Sequence, residues 1–321
     1  MAHSDIAAAG RMSITNLEVP MRVFVTGASG HIGSPTVAEL LEAGHEVVGL
    51  ARSDASAAKL EAAGAEVRRG SLDDLDGLQE AAAEADGVIH LAFKHDLMQT
   101  GDMEGAIAAD LAATAAFGDA LAGTDKPFIN TGGTLMLAMA GVSGRAGTEE
   151  DSSPGGHRGD VENATIALAD RGVRSSIIRL SPLVHSDLDK HGFGPTLIGI
   201  ARENGFAGYP GEGANRWPAV HTRDAASLYR HAIESAPGGS RLHGVGDEGV
   251  PLREIAAAIG RGTGLEVKSV PMDELESYFS FLAGFITLDN PTSNALTREW
   301  TGWEPTHPGL IDDYAEGHYF A

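Results

Sequence analysis

Three glycines, Gly27, Gly30 and Gly33, follow the apolar run Val23-Phe24-Val25 and precede an amphipathic stretch, and no other feature restricts the fold of this chain as strongly. A strand that ends in glycine turns sharply without steric cost. The second glycine lets a backbone come close to a pyrophosphate, and the third lets the following helix pack tightly against the strand. The helix then offers free N–H groups and the positive end of its dipole to phosphate. Ser29, His31 and Ile32 complete the loop. The pattern is evidence for a dinucleotide site only if a βαβ series surrounds it.

The rest of the chain supplies that series. Apolar runs Arg22–Thr26, Glu46–Leu50, Glu66–Arg68, Gly87–Ala92, Pro127–Asn130 and Arg174–Leu180 read as strands covered on both faces. Between them lie the helical stretches Ile32–Ala43, Ser56–Ala63, Asp74–Glu84, Met103–Leu121 and Val161–Asp170. Gly44, Gly64 and Gly172 follow three of these, where a left-handed residue ends a helix most easily. The expected fold is α/β, a doubly wound parallel sheet of Rossmann type with a smaller mixed C-terminal lobe. The expected division is an extension at 1–20, a dinucleotide-binding domain at 21–180 and a substrate lobe at 181–321, with the chain free to cross back. Past Leu180 the alternation breaks, and Thr222–Glu234 and Leu252–Ile259 are the helices expected there.

Composition removes several function classes. No cysteine is present, which excludes a disulfide framework, a zinc ribbon and a thiol nucleophile. The net charge of −22 argues against nucleic acid or an anionic membrane face as partner. No apolar run is long enough to span a bilayer, and the first twenty residues lack the basic and apolar regions of a signal peptide. A cytoplasmic protein acting on a small molecule is expected. The thirteen histidines form no metal-binding motif in the linear sequence, so no metal is expected.

The end of the second strand selects the cofactor. An NAD site places a carboxylate there for the ribose 2′-OH, whereas an NADP site places arginine for the 2′-phosphate. The run here is Ala51-Arg52-Ser53-Asp54. Arg52 can grip a phosphate with two donors and Ser53 can add a hydroxyl. Asp54 reads as the N-cap of the next helix. Arg69, just past the third strand, reads as a surface arginine that can add positive charge. NADP(H) is therefore expected over NAD(H).

These residues resemble the extended short-chain dehydrogenase/reductase superfamily, in its NAD(P)-dependent epimerase/dehydratase-like branch. The likeness runs from Met21 almost to the C-terminus. The loop Thr26-Gly-Ala-Ser-Gly-His-Ile-Gly33 is similar to the branch's TGxxGxxG, and Ser71-Leu72-Asp73 to its adenine-contacting Asp-Leu segment. Val88-Ile-His90-Leu91-Ala92 is similar to the fourth-strand signature beside the nicotinamide ribose. Arg179-Leu-Ser-Pro182 is similar to the sixth-strand end that reaches the nicotinamide, Trp217-Pro-Ala-Val-His221-Thr-Arg-Asp224 to a turn of the C-terminal lobe, and Gly302-Trp303-Glu-Pro305 to a closing motif. The resemblance implies a homodimer.

One departure changes the chemical question. The superfamily works through Tyr-x-x-x-Lys, in which lysine lowers the tyrosine pKa so that it exchanges a proton with the substrate oxygen. The five tyrosines here are Tyr209, Tyr229, Tyr278, Tyr314 and Tyr319, and none has lysine four positions on. Matching Arg158-x-x-x-Glu162 to the second half of the motif puts Pro154 at the tyrosine position. Arginine holds its proton to a pKa above about 12, so Arg158 can bind ribose hydroxyls or an anion but cannot relay protons. Thr131, His157 and above all His185 are the substitute groups to examine. Asn130–Thr134 occupies the place of a serine-rich turn. Phe93, Lys94, Leu135, Phe193 and Trp217 are expected to line the substrate pocket. The reading is an NADPH-dependent oxidoreductase acting on a small, largely apolar carbonyl or related unsaturated compound. The alternatives are a non-catalytic NAD(P)-binding regulator or sensor and a sugar-nucleotide epimerase or dehydratase.

Overall fold

The computed structural model describes residues 19–156 and 158–321, so most of the 1–20 extension and His157 lie outside the described residues. Twelve strands are present among them: β1 Arg22–Thr26, β2 Glu46–Ala51, β3 Glu66–Arg69, β4 Gly87–His90, β5 Pro127–Gly133, β6 Arg174–Leu180, β7 Leu183–His185, β8 Phe206–Pro210, β9 Arg216–His221, β10 Ser240–Gly244, β11 Asp247–Pro251 and β12 Glu266–Val270. Seven form one sheet in the order β10-β6-β5-β4-β1-β2-β3, and every pairing in it is parallel. The fold is the doubly wound α/β sheet, with β1 and β4 as neighbours at the point where the strand order reverses. Ligands of such sheets bind in the crevice beyond the strand ends there.

Both faces of the sheet are covered by apolar side chains. On one, Val37 and Leu40 of the helix Gly33–Glu42 and Leu228, Tyr229 and Ile233 of the helix Thr222–Ser235 pack against Val23, Val25 and Ile89. On the other, Leu78, Ala81, Ala113 and Phe117 pack against Phe24, Val88 and Phe128. The second lobe has its own core around Trp217, Ile255, Tyr278 and Phe279. It carries a mixed three-stranded sheet, β11-β9-β7, and a parallel pair, β12-β8. The helix Thr222–Ser235 and β10 return to the large sheet, so position 180 is not a clean cut in space.

Three local expectations need correction. Ser53, not Asp54, caps the helix Asp54–Ala63, its Oγ accepting from the Ser56 amide at 3.2 Å. The fifth strand does not end at Asn130 but runs to Gly133, because Thr131, Gly132 and Gly133 continue the pairing with Ile178, Arg179 and Leu180 of β6. The fourth stops at His90, level with Thr26 where β1 ends; the Leu91 amide still reaches the Thr26 carbonyl at 3.2 Å, but the Ala92 amide turns to Thr26 Oγ1.

Candidate active site at the carboxyl end of the large sheet

The glycine loop occupies the crevice at the ends of β1 and β4. Gly27 has φ +67°, and a Cβ there would stand 2.7 Å from the Ala92 amide nitrogen. A Cβ on Gly33 would stand 2.1 Å from the Gly27 carbonyl oxygen, so strand and helix touch through the absence of a side chain. At Gly30 the only near atom is the Gly27 oxygen at 3.1 Å, which leaves that backbone open to the crevice. The helix Gly33–Glu42 has no side-chain cap and no carboxylate in its first turn. Its terminal amides and dipole are left for an external anion. These residues fit a dinucleotide pyrophosphate.

Within the loop, Ile32 is half-buried against the sheet core. His31 Nε2 meets Thr222 Oγ1 at 2.9 Å. That hydroxyl donates to the His185 carbonyl at 3.1 Å, so it accepts from His31, which carries its proton on Nε2. Burial lowers the His31 pKa, Asp189 opposes the shift and His191 reinforces it. The ring is thus a neutral tie between glycine loop and second lobe.

Behind the ends of β4 and β5 lies a buried polar chain. His90 Nε2 faces Asp110 Oδ1 at 3.2 Å, and its Nδ1 faces Thr26 Oγ1 at 2.6 Å. With Asp110 ionised, the proton sits on Nε2 and Nδ1 accepts from the threonine hydroxyl. That hydroxyl oxygen in turn accepts from the Ala92 amide at 3.2 Å. His90 therefore positions Leu91 and Ala92 rather than acting on a ligand itself. Asp110 lies on the inner face of the helix Met103–Leu121 and went unnoticed in the sequence. Its signal was a carboxylate at a buried helical position among alanines.

Arg158 opens the helix Arg158–Ala167. Its Nη2 donates to the Thr131 carbonyl at 2.8 Å and lies 3.7 Å from Asp110 Oδ2, and its guanidinium carbon sits 4.4 Å above the Phe93 ring. Its Nε–H is buried and has no partner among the described residues. Glu162, one turn further on, fixes this helix through Arg179, with bonds of 2.8 and 2.5 Å, and through Arg241 at 2.8 Å. Burial alone would raise the Glu162 pKa, but the two guanidinium groups outweigh it and hold it below the usual carboxylate value.

The proposed proton donors are placed differently from one another. Thr131 Oγ1 donates to the His90 carbonyl at 2.8 Å and is joined at 2.8 Å by the hydroxyl of Tyr229, so its proton is already committed. Tyr229 is fully buried, and burial raises its pKa despite the Thr131 bond and the Arg158 charge. A tyrosine does lie behind the site, but locked in the core of the large sheet on the helix Thr222–Ser235. His185 is 1 % exposed, with Nδ1 donating to Asp313 Oδ2 at 2.8 Å and Nε2 without a partner among the described residues. Its hydrogen bonds link it to the second lobe, not to Arg158 or Thr131.

The expected pocket residues also separate. Trp217 is fully buried, with Nε1 donating to the Leu288 carbonyl at 3.2 Å, and belongs to the core rather than to a pocket wall. Phe193 rests on it with ring centres 5.8 Å apart, and Leu135 packs on the same cluster. Lys94 is drawn to Asp73, beside the Ser71 turn where Ser71 Oγ accepts from the Asp73 amide at 3.2 Å. It therefore braces the Ser71–Asp73 segment, next to half-buried Leu72, instead of standing free as a pocket wall. Only Phe93 lies against Arg158. Pro182 follows β6 and leads into β7. The tertiary fold also gathers two groups that linear spacing did not show, His221 with Asp224 and His307, and Asp313 with Glu316 and His318. In the first, His307 Nδ1 bonds Asp224 Oδ1 at 2.7 Å and His221 Nδ1 accepts from the Arg223 amide at 3.2 Å, so a helix cap and a lobe contact account for it.

A parallel sheet with this glycine loop at its reversal point, and an arginine and buried His–Asp pair beyond β4 and β5, define a dinucleotide-binding protein of the extended short-chain dehydrogenase/reductase kind. Residues 23–158 match the model of the NAD dependent epimerase/dehydratase family, and the chain belongs to that family. An uncharacterized protein of Schizosaccharomyces pombe is 46% identical over 302 residues, 94% of this chain and 100% of its own length. One of Saccharomyces cerevisiae is 44% identical over 296 residues, 91% of this chain and 97% of its own. Among solved structures, the dTDP-glucose 4,6-dehydratase DesIV of Streptomyces venezuelae, with NAD and TYD bound, superposes with a TM-score of 0.73 at 18% identity, covering 94% of this chain and 96% of that one.

Proposed function

We propose that this chain is an NADPH-dependent oxidoreductase that reduces a small, largely apolar carbonyl or a related unsaturated compound. The observation that carries the reading is Arg158, a guanidinium braced by the Thr131 carbonyl, seated over the Phe93 ring, with a buried Nε–H that has no partner among the described residues. Such a donor fits an oxygen that gains negative charge as the substrate is reduced. A bound nicotinamide supplies the hydride. The protein's own part is to orient the carbonyl on Phe93, hold its oxygen at Arg158 and admit the proton from water, since the Thr131 proton is committed and Tyr229 is enclosed. The NADPH preference rests on Arg52, whose side chain is 72% exposed at the end of β2 and pairs with Asp96 at 3.5 Å. We also place the protein in the cytoplasm as a homodimer, without nucleic-acid or membrane partners. No helix among the described residues is long and apolar enough to cross a membrane.

The enclosure of Tyr229 in the core also favours a second reading, an NAD(P)-binding regulator without chemistry. The third, a sugar-nucleotide epimerase or dehydratase, draws only on the family and on the ligands of its structural neighbours. Titration with NADPH and NADH, followed by oxidation at 340 nm against ketones, aldehydes, imines and enones, separates these readings. Turnover that Arg158→Met abolishes while NADPH still binds is the expected result. Tight NADPH binding with no turnover of any acceptor overturns the enzyme reading, and an NADH preference unaltered by Arg52→Ala overturns the cofactor reading.

A further inference from the structure

We propose that Arg69 is the second cation of an adenosine 2′-phosphate subsite, and that the Asp54 carboxylate occupies that subsite when the phosphate is not bound. The proposal rests on the NADPH reading above and extends it to residues that reading does not use.

Arg69 ends β3, and the parallel register of β2 and β3 sets it directly beside Ala51, next to Arg52. The Gly70 amide donates to the Ala51 carbonyl at 3.2 Å, which holds the two strand ends level. From there the Arg69 guanidinium reaches over the turn between β2 and the next helix. Nη1 donates to the Ser53 carbonyl at 2.7 Å, and Nη2 donates to the Asp54 carboxylate. The turn where a 2′-substituent is read therefore carries two arginines, a serine and a helix N-terminus.

Asp54 is the residue that argues for NAD by its position in sequence, but its geometry argues otherwise. It stands inside the first turn of its helix, after the Ser53 cap, and its side chain is fully exposed. Its one hydrogen-bonding partner among the described residues is Arg69. Arg52 is likewise paired with an exposed carboxylate, Asp96 at 3.5 Å. Pairs of this kind are weak because water and salt screen them. A phosphate dianion offers three acceptor oxygens and a higher charge, so it can displace both carboxylates and take charge-assisted bonds from both arginines. A ribose 2′-OH cannot, since a hydroxyl has no comparable charge with which to displace Asp54. Exchange of Asp54 for phosphate on the Arg69 fork is the device that distinguishes the two cofactors.

The test is the ratio of the NADH and NADPH dissociation constants of the full-length chain, read by nicotinamide fluorescence, with 2′,5′-ADP and 5′-AMP as competitors lacking nicotinamide. Arg69→Ala should lower the NADH/NADPH ratio about tenfold, the loss of one charge-assisted pair. Asp54→Asn should raise it, and Arg69→Lys should fall between wild type and alanine because it keeps the charge without the fork. The 2′,5′-ADP affinity should follow NADPH in every variant, and 5′-AMP should not change. If Arg69 only ties two strand ends together, both cofactors weaken equally, the ratio stays at its wild-type value, and the proposal is overturned. The wild-type ratio by itself decides the NADPH reading, while its response to Arg69→Ala and Asp54→Asn decides the subsite, so either can fail alone.

Discussion

Lowering the pH from 7.5 to 5 should destabilise the protein through His243, a residue of β10 with no exposed surface. Its Nδ1–H donates to the Ser293 carbonyl at 2.7 Å, and its Nε2 accepts from Arg179 Nη1 at 3.2 Å. A second proton has to enter at Nε2, against a guanidinium and without water. Burial first and the Arg179 charge second push its pKa down from 6.5 to about 3, with Ser293, Glu162 and Asp151 opposing. The unfolded chain binds this proton near pH 6.5 and the folded chain does not, so stability is complete above that value and is lost as pH falls toward 3. At pH 5 the unfolded histidine is almost fully protonated, and the loss is about 2 kcal/mol for any folded value below about 4. His221, lowered to about 4 by burial and then by His185 and His307, adds a similar amount in the same direction. The carboxylates held below their usual values, Glu162 and Asp289, begin to withdraw stability only beneath their unfolded values near 4.5 and 3.8, so pH 5 leaves them nearly silent. The measurement is urea unfolding followed by tryptophan fluorescence at the two pH values, for wild type and His243→Gln. The variant should lose about 2 kcal/mol less than wild type across the interval, whatever its stability at pH 7.5. An identical loss in both proteins would refute the argument that the buried ring stays neutral.

Two further substitutions test the site's construction. Gly33→Ala should cost about 2–4 kcal/mol and abolish NADPH binding, because the added carbon meets backbone that no side-chain rotation can move; unchanged denaturation and binding would contradict the close helix–strand contact. Tyr229→Phe should cost about 1 kcal/mol, one buried hydrogen bond to Thr131, and leave turnover within about twofold of wild type. A loss of a hundredfold or more in kcat would instead make Tyr229 the missing proton donor.

The sheet strands and most helices of the first 180 residues were readable because their signals are local. Apolar runs that alternate with amphipathic stretches report burial on both faces of a sheet, and Gly27, Gly30 and Gly33 report a backbone that must come close to something. Those steric demands belong to single positions and survive in any reading of the chain. The C-terminal lobe was less readable because strands such as β11 and β12 are exposed or half-buried over most of their length, so they carry no continuous apolar run to mark them. At the site the limit was distance along the chain. Arg158 was found from its motif position, but Thr131 loses its free proton only because the His90 carbonyl, forty-one residues back, takes it, while Tyr229, ninety-eight residues on, closes over the same hydroxyl. His185 carries a plausible proton donor's chemistry in sequence, yet the fold turns it to Asp313. Trp217 and Lys94 left the pocket for equally non-local reasons, a core to fill and an aspartate to meet. The sequence by itself determined a glycine turn after β1 of the shape that accepts a dinucleotide pyrophosphate, and the lack of the usual Tyr-x-x-x-Lys. Which groups stand with free protons and charges around that turn was decided only by the tertiary structure, because these depend on partners that the linear order does not place beside them.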